Sequence, residues 1–260
     1  MKEAELALTH ILECDRASLY LDFDLRLNKR QAGEFSQVFI RRLAFEPLQY
    51  ILGHAAFMGL DFKVNKDVLI PRPETEILVE TAIRYLKDKN SACILDLGTG
   101  SGCIGVSLSK MLTGAVVSAS DISALAIEVA KDNAHKHTAE IEFLQGDMFT
   151  PLNNKGVLYD LIVSNPPYIA KSDFAGLPRE LSYEPALALD GGADGLDYYR
   201  RIALEAAEYL HPEGLLILEI GFSQRAAVEG LLRDRGKFRI LETVNDYNNI
   251  ARVLVARKGV

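Results

Sequence analysis

The spacing of hydrophobic and polar positions changes along the chain, and its first part predicts helices. In residues 1–52, apolar side chains recur every three or four positions, as they do on one face of a helix. The clearest stripe contains Phe35, Val38, Phe39 and Leu43. No alternation typical of a strand occurs before residue 55. We therefore expect residues 1–52 to form a small helical domain.

Residues 53–75 have a different pattern, in which turn-forming residues separate short apolar runs. Gly59 and the cluster at 65–67 interrupt these runs, which predicts a β-hairpin or two short strands. A helical pattern follows in PRPETEILVETAIRYLKD, and Thr75 is a candidate for its N-cap. We expect a linker with a hairpin over residues 53–75 and a second, larger domain over residues 76–260.

From residue 92 onward, apolar runs typical of buried strands alternate with helical patterns. The seven runs are ACILDLG, AVVSASD, IEFLQGD, YDLIVSN, GLLILEIG, FRILETV and ARVLVARK. Strands separated by helices form a mainly parallel, doubly wound sheet. Only NDYNN joins the last two runs, so these must pair as a hairpin with an antiparallel final strand. This α/β arrangement, Rossmann-like and seven-stranded, resembles the class I S-adenosylmethionine-dependent methyltransferase fold.

Composition and charge narrow the function classes. Hydrophobic residues make up 48% of the chain and charged residues 25%, as in an ordinary globular protein. No apolar run reaches the roughly 20 residues of a membrane span, and the charged N-terminus does not resemble a signal peptide. A net charge of -7 gives no overall basic surface for nucleic acid. Three cysteines without CxxC spacing favour a reducing cytoplasm and no zinc site.

A glycine-rich turn, DLGTGSGCIG, follows the first strand of the predicted sheet. Gly98, Gly100 and Gly102 allow the backbone to turn sharply and to approach a ligand closely. Ligands of open α/β sheets bind beyond the carboxyl ends of the strands, where this turn lies. The pattern by itself is also compatible with a dinucleotide site or with a plain tight turn.

Acidic residues end the next two strands of the predicted sheet. Asp121 can accept hydrogen bonds from both ribose hydroxyls, or it can cap the helix that follows. In the methyltransferase fold, the position of Asp147 lies beside the adenine amine and that of Met148 beside the ring. Loop polarity for Asp147 and core packing for Met148 are the alternatives. Because the sheet closes with a hairpin and has no second nucleotide-binding half, the pattern favours S-adenosyl-L-methionine over NAD.

The fourth strand ends in Asn165-Pro166-Pro167-Tyr168, a turn whose shape the two prolines restrict. The Asn165 carboxamide oxygen and the Pro166 carbonyl are two acceptors that match the two N–H groups of a planar NH2, and the Tyr168 ring matches its flat face. Acceptors on both hydrogens raise the electron density on nitrogen and orient it toward a methyl donor. The turn therefore predicts methyl transfer to a planar nitrogen without a tuned general base, although a plain Pro-Pro turn is the structural alternative.

Five segments in one order closely resemble the HemK/PrmC family of release factor glutamine methyltransferases. They are PLQYILG, LIPRPETE, DLGTGSG, NPPYI and YEPALALDGGADGLDYYRRI. The resemblance implies a cytoplasmic enzyme that uses S-adenosyl-L-methionine to methylate the side-chain nitrogen of the glutamine in the Gly-Gly-Gln motif of class 1 release factors. It also implies that the helical N-terminal domain docks this protein substrate.

By matched position, the resemblance also implies roles for individual residues. Asp121 would hold the ribose of the cofactor, and Asp147 and Met148 would lie by the adenine. The family often has an aromatic residue in place of Met148, so adenine stacking is expected to be weaker here. The methionine part would be held by Gly98, Thr99, Gly100, Ser101 and Gly102. The glutamine amide would be held by Asn165, Pro166, Pro167 and Tyr168, and Asn165 would also contact the cofactor.

Some interpretations stay open at this point. Arg72 and Glu74 can line the substrate entrance, or Arg72 can pair with a carboxylate for structure alone. Glu184 can be catalytic or can anchor a loop. Other candidate functions are an N6-adenine nucleic-acid methyltransferase, a ribosomal-protein glutamine methyltransferase of the same family, and a silent cofactor-binding protein. We expect a monomer whose partner is a protein rather than nucleic acid or a membrane.

Overall fold

The N-terminal part of the chain is helical, as predicted. In the computed structural model, the residues described are 3–21, 25–153, 155–234 and 236–259. Four helices come first: α1 (Glu3–Leu12), α2 (Arg16–Leu21), α3 (Lys29–Leu43) and α4 (Leu48–Leu52). Asn28 begins α3 with a capping box, since its side chain accepts from the Gln31 backbone and the Gln31 side chain accepts from the Asn28 backbone, both at 3.0 Å.

The apolar stripe of α3 is only partly covered. Phe35 and Val38 are half-buried, whereas Phe39 and Leu43, with the neighbouring Ile40, retain 58%, 65% and 57% of their accessible surface. The periodicity therefore predicted the helix correctly, while part of its apolar side remains open to solvent. Such a contiguous exposed stripe is typical of a surface that contacts another molecule.

A two-stranded hairpin follows the helices and confirms the prediction for this region. Strands β1 (His54–Phe57) and β2 (Leu60–Lys63) pair antiparallel. Met58 and Gly59 join them with φ angles of 49° and 72°, the left-handed pair that a two-residue type I′ turn requires.

The helix after the hairpin, α5 (Pro73–Leu86), does not begin where the sequence indicated. Arg72 occupies its N-cap position and Pro73 its first turn, where the missing proline N–H costs no hydrogen bond. The prediction that Thr75 caps α5 is wrong, because its hydroxyl is buried and donates to Glu219 instead. Since α5 begins inside the range 53–75, the division into domains at residue 76 stays a prediction.

A seven-stranded sheet forms the centre of the remaining chain. Its strands are β3 (Cys93–Leu97), β4 (Val116–Asp121), β5 (Ile141–Gln145), β6 (Tyr159–Ser164), β7 (Leu210–Glu219), β8 (Phe238–Asn245) and β9 (Ala251–Lys258). The spatial order is β5-β4-β3-β6-β7-β9-β8. The pairs from β5 to β7 are parallel, and β9 pairs antiparallel with both β7 and β8. Both the predicted topology and the antiparallel final strand are confirmed.

Helices cover both faces of this sheet and create two apolar cores. Successive strand residues face opposite sides, so that Ile94 and Leu161 belong to one core whereas Leu95 and Ile162 belong to the other. The first core packs against α5 and α6 (Cys103–Met111), and the second against α8 (Asp197–Glu205) and α9 (Arg225–Asp234). The helix α7 (Ala124–Lys136) follows β4. No helix among the described residues is long and apolar enough to cross a bilayer.

Candidate active site

The glycine-rich turn is strained for any residue other than glycine and is tied to the neighbouring strand. Gly98, Gly100 and Gly102 have φ angles of 76°, 55° and 81°. The backbone N–H groups of Gly98 and Thr99 both donate to the carbonyl of Ser120 at 2.9 Å, at the end of β4. The turn therefore holds a fixed shape at the carboxyl edge of the sheet, as predicted.

Gly102 has a different purpose from the other two glycines. It precedes α6, and a Cβ atom there would lie 3.1 Å from the Cβ of Ala130 on α7. The described lining of the adjacent cavity includes Gly98 and Gly100 but not Gly102. Its role here is close packing between α6 and α7, and contact with the cofactor stays a prediction.

Asp96, on β3, is a buried acidic residue that the sequence analysis missed. Its Oδ2 accepts from Thr99 Oγ1 at 2.6 Å and from the Gly105 backbone at 2.9 Å, so it fixes both ends of the turn. Its Oδ1 has no partner among the described residues, and burial raises its pKa to about 6. The available signal was a charged residue inside the apolar run CILDL, because such a residue is seldom buried without a partner.

Asp121 lies where a ribose could reach it and does not cap the next helix. Its Oδ2 accepts from the Gly100 backbone and its Oδ1 from the Ser123 backbone, each at 2.9 Å. Ser123 is the N-cap of α7, since its side chain accepts from the Ala126 backbone, so the capping alternative for Asp121 is wrong. Burial raises the pKa of Asp121. Each carboxylate oxygen has a second lone pair, and Asp121 lines the cavity.

Asp147 and Met148 follow β5 and lie at the same cavity. Both Asp147 oxygens already accept from the Arg201 guanidinium of α8, at 2.8 and 2.9 Å. Arg201 is therefore a partner that the sequence did not indicate. Met148 has a left-handed φ of 50° and both lines the cavity and packs against the second core. Their contacts with adenine stay predictions, and the two alternatives for Met148 are structurally compatible.

A cavity of about 140 Å³ connects these residues. Its lining fits the expected S-adenosyl-L-methionine: a glycine turn that lets a ligand approach the backbone closely, the Asp121 carboxylate for ribose hydroxyls, and apolar side chains for a flat base. Ser120 Oγ, which has no partner within the described part of the chain, belongs to a residue that lines this cavity. The apolar side chains of the lining include Leu97, Ile104, Ile122 and Met148.

The diproline turn lies directly beside the glycine-rich turn, as predicted. Ser164 Oγ donates to the Leu97 carbonyl at 2.6 Å and so joins the ends of β6 and β3. The next residue, Asn165, donates its Nδ2 to Thr75 Oγ1 at 3.1 Å. This bond leaves the Asn165 Oδ1 available as an acceptor, which is the role that the sequence analysis gave it.

A second cavity, of about 400 Å³, begins where the first one ends. Asn165, Leu69, Arg72 and Ala188 line both cavities. Pro166 and Pro167 line the first, whereas Tyr168, Glu74, Glu219 and Arg252 line the second. The Asn165 side chain therefore lies at the boundary between a space that fits a cofactor and a space open to a second molecule.

The backbone of Tyr168 is packed closely against the segment before α8 and against Gln224, which precedes α9. Gln224 Nε2 donates to the Tyr168 carbonyl at 2.9 Å. At Gly195, which has a φ of 77°, a Cβ atom would lie 2.4 Å from that carbonyl oxygen, and at Gly191 it would lie 2.8 Å from the Tyr168 Cα. Gly191 and Gly195 are therefore needed for the close approach of two backbone segments. Burial raises the pKa of the Tyr168 hydroxyl.

Glu184 acts as the anchor of a loop. It is buried, pairs with the Arg72 guanidinium, and accepts from the Ile70 backbone at 3.2 Å. These contacts support the structural interpretation of Glu184. Arg72 makes this structural pair and also lines both cavities, and its role at the substrate entrance stays a prediction.

Comparison with known proteins gives consistent results over nearly the whole chain. The family model of the PrmC N-terminal domain matches residues 1–53, and that of the methyltransferase small domain matches residues 74–178. The chain is 45% identical to the release factor glutamine methyltransferase of Geobacter sulfurreducens, covering 99% of this chain and 89% of the relative. It is also 45% identical to the enzyme of that name from Moorella thermoacetica, over 98% of this chain and 90% of that relative.

A solved structure of the hMettl16 catalytic domain with an MAT2A 3′UTR hairpin has a similar fold. Its TM-score is 0.60 at 19% identity, covering 89% of this chain and 81% of that one. At this identity the similarity concerns the fold alone, and it agrees with the methyltransferase fold expected from the strand order. The identity to the bacterial relatives extends from the N-terminal helices to the last strand. The chain therefore belongs to the family of release factor glutamine methyltransferases.

Proposed function

We propose that this protein transfers a methyl group from S-adenosyl-L-methionine to the side-chain nitrogen of the glutamine in the Gly-Gly-Gln motif of class 1 release factors. The observation that carries the proposal is the position of Asn165, on the boundary between two cavities and with its amide oxygen available. A residue at this boundary can hold an acceptor nitrogen from one side and face a methyl donor on the other. The family relationship supports the choice of substrate.

The residues proposed to hold the cofactor are those of the first cavity. When bound, S-adenosyl-L-methionine supplies an electrophilic methyl group on a sulfonium sulfur. The turn formed by Gly98, Thr99, Gly100, Ser101 and Gly102 would hold the methionine part. Asp121 would accept from the ribose hydroxyls, and Asp147 and Met148 would border the adenine.

The residues proposed to act on the substrate are Asn165, Pro166, Pro167 and Tyr168. The Asn165 Oδ1 and the Pro166 carbonyl accept from the two amide N–H groups of the glutamine, and this raises the electron density on the nitrogen and orients it toward the methyl donor. The Tyr168 ring packs against the flat amide and excludes water. Catalysis is then positioning and electrostatics, in which acceptors are aligned before the reaction begins.

The exposed apolar stripe of α3 supports a protein substrate. Phe39, Ile40 and Leu43 form a surface that a release factor can cover when it docks. A formal net charge of -7 disfavours direct binding to nucleic acid. We propose a monomeric enzyme of the cytoplasm, in agreement with three cysteines that are all free.

Methyl transfer to purified substrates tests this function. The protein is incubated with radiolabelled S-adenosyl-L-methionine and a class 1 release factor, and a factor with alanine in place of the motif glutamine is the control. We expect label on the intact factor and none on the control. Parallel reactions contain DNA, RNA and ribosomal proteins. Label on one of those, with an unlabelled release factor, would contradict the proposal and identify the alternative.

A further inference from the structure

A chain of three side chains, of which the last two are buried, extends from the active-site amide to the end of β7. Asn165 Nδ2 donates to Thr75 Oγ1 at 3.1 Å, and Thr75 Oγ1 donates to Glu219 Oε2 at 2.7 Å. Thr75 and Glu219 are 2% and 1% exposed. The sequence analysis did not indicate Glu219, and it gave Thr75 a different role, that of a helix cap.

The direction of these hydrogen bonds follows from the chemistry of the groups. A threonine hydroxyl has one proton, and a carboxylate only accepts. While Glu219 is ionised, the Thr75 proton is committed to it, so that Thr75 presents only a lone pair to Asn165. The amide of Asn165 must then direct its NH2 group toward Thr75. Its oxygen consequently faces the opposite way, toward the space where the two cavities meet.

Because the two ends of an amide have nearly the same shape, packing alone selects its orientation poorly. We propose that Glu219, acting through Thr75, is a positioning residue that fixes the Asn165 amide with its oxygen toward the substrate nitrogen. This inference rests on the proposed function, since it assigns a cause to the acceptor which that function requires. Protonated Glu219 can instead donate to Thr75, which is then free to donate to Asn165 and to favour the reversed amide.

The charged and titratable groups around Glu219 come from every element packed against it. Arg252 of β9 favours the ionised form, and Glu74 of α5 disfavours it. The other titratable groups that sense its charge are Cys103 of α6, Tyr168 of the diproline turn and Tyr199 of α8. Burial is the largest influence and raises the pKa of Glu219 to about 7, while the hydrogen bond from Thr75 opposes it. The state of the carboxylate therefore changes near neutral pH.

Single-turnover methylation of the release factor across pH 5.5–8.5 tests the positioning role. In the wild type we expect the rate to fall up to tenfold per pH unit below about 7, because protonated Glu219 can donate to Thr75 and so free the Thr75 proton to favour the reversed Asn165 amide. E219Q should be slower at pH 8 on the order of 10- to 100-fold and lack this acid limb. T75V should lose a similar factor and T75S should recover most of it, while the KM for S-adenosyl-L-methionine changes less than about twofold. E229Q, which alters another buried carboxylate on α9, is the matched control and should keep the wild-type profile.

A measurement without turnover separates this inference from the proposed function. The side-chain NH2 signals of Asn165 in the nitrogen-15-labelled protein are assigned by their absence in N165S and followed over the same pH range. We expect a titration near neutral pH in the wild type and none in E219Q. That result in a protein which does not methylate release factors would support the positioning role and contradict the proposed function. The positioning role of Glu219 would be overturned by any one of three results: a flat wild-type titration, an unchanged pH profile in E219Q, or equal rates for T75V and T75S.

Discussion

Thr75 donates its hydroxyl proton to the carboxylate of Glu219 across 2.7 Å, although 144 residues separate the two in the chain. The bond joins the first turn of α5 to the last residue of β7. It places an ionisable group with a pKa of about 7 directly behind the turn that contains Asn165. Ionisation of a buried carboxyl group lowers the stability of the fold. The ionised Glu219 that orients the Asn165 amide is therefore destabilising for the protein.

The stability of the protein should depend on pH through Glu219 in a defined direction. Because burial raises its folded-state pKa from 4.5 to about 7, its favourable contribution is present below pH 4.5 and is lost as the pH rises through about 7. The loss is about 3 kcal/mol at 1.36 kcal/mol per pKa unit. Between pH 4.5 and pH 8, the free energy of unfolding of E219Q should therefore increase by about 3 kcal/mol relative to that of the wild type. Urea unfolding at both pH values measures this difference, and a pH-independent difference would contradict it.

Glu229 provides a control of opposite sign for that experiment. Arg225 lowers its pKa, so its contribution is present above the unfolded-state pKa and is lost as the pH falls. E229Q should become less stable relative to the wild type as the pH rises. As the pH rises, the free energy of unfolding relative to the wild type should therefore increase for E219Q and decrease for E229Q.

Removal of the active-site amide should affect the reaction far more than cofactor binding. N165A deletes an acceptor that is aligned before the reaction, and loss of such a group typically costs about 100-fold or more in kcat. The Kd for S-adenosyl-L-methionine, measured by calorimetry, should change less than about threefold. N248A, which alters an exposed asparagine of the turn between β8 and β9, is the control. An unchanged kcat in N165A would reject the role given to this residue.

Asp121 should control cofactor affinity. D121A removes acceptors for two ribose hydroxyls, and hydrogen bonds to a charged group contribute about 1.5–3 kcal/mol each. We expect the Kd for S-adenosyl-L-methionine to rise at least about tenfold. The substitution also removes the acceptor for the Gly100 and Ser123 N–H groups, so a lower Tm should accompany it. D173A, at an exposed loop carboxylate, should leave the Kd unchanged.

Gly195 should be intolerant of a side chain even though it lies outside the cofactor cavity. G195A would place a Cβ atom 2.4 Å from the Tyr168 carbonyl oxygen, at a φ of 77° that alanine adopts poorly. Displacement of Tyr168 should lower both the Tm and kcat. Gly33, inside α3, has a helical conformation, and a Cβ atom added there would meet no described atom within 4 Å. G33A should instead raise stability by about 0.5–1 kcal/mol, as measured by urea unfolding.

The exposed stripe of α3 should matter for an intact release factor and not for a short peptide. The double variant F39S/L43S removes apolar surface that is 58% and 65% exposed, so folding should be little affected. We expect a higher KM for the whole factor, with kcat nearly unchanged. The KM for a short Gly-Gly-Gln peptide should stay as in the wild type. Equal effects on both substrates would show that the stripe is not a docking surface.

Local patterns contain most of the information about this fold. Apolar runs such as ACILDLG and YDLIVSN indicated buried strands, and the absence of a helix between the last two required an antiparallel β9. The carboxyl ends of parallel strands lie at one edge of the sheet. The sequence therefore also indicated that three features would lie together, namely the glycine-rich turn at Gly98, the Asp121 side chain and the Asn165 side chain. These conclusions depend only on neighbours in the chain and on the fixed hand of βαβ connections.

Residues that act through distant partners could not be found in this way. Thr75 was expected to cap a helix because a hydroxyl near a helix start usually does so, but Pro73 shifted that start and the sheet supplied Glu219. Asp147 was interpreted from its place after a strand, and its bond to Arg201 depends on how α8 packs. The stripe of α3 had the spacing of a core face, and only the packing left it exposed.

The sequence by itself determined the order of the strands and the chemistry delivered to the end of each one, because periodicity and turn chemistry act over a few residues. Tertiary structure decided which buried polar groups pair, which amide oxygen faces the reacting nitrogen, and which apolar face stays open. Those outcomes depend on hydrogen bonds and contacts between segments far apart in the chain, and such bonds form only when the whole sheet has assembled.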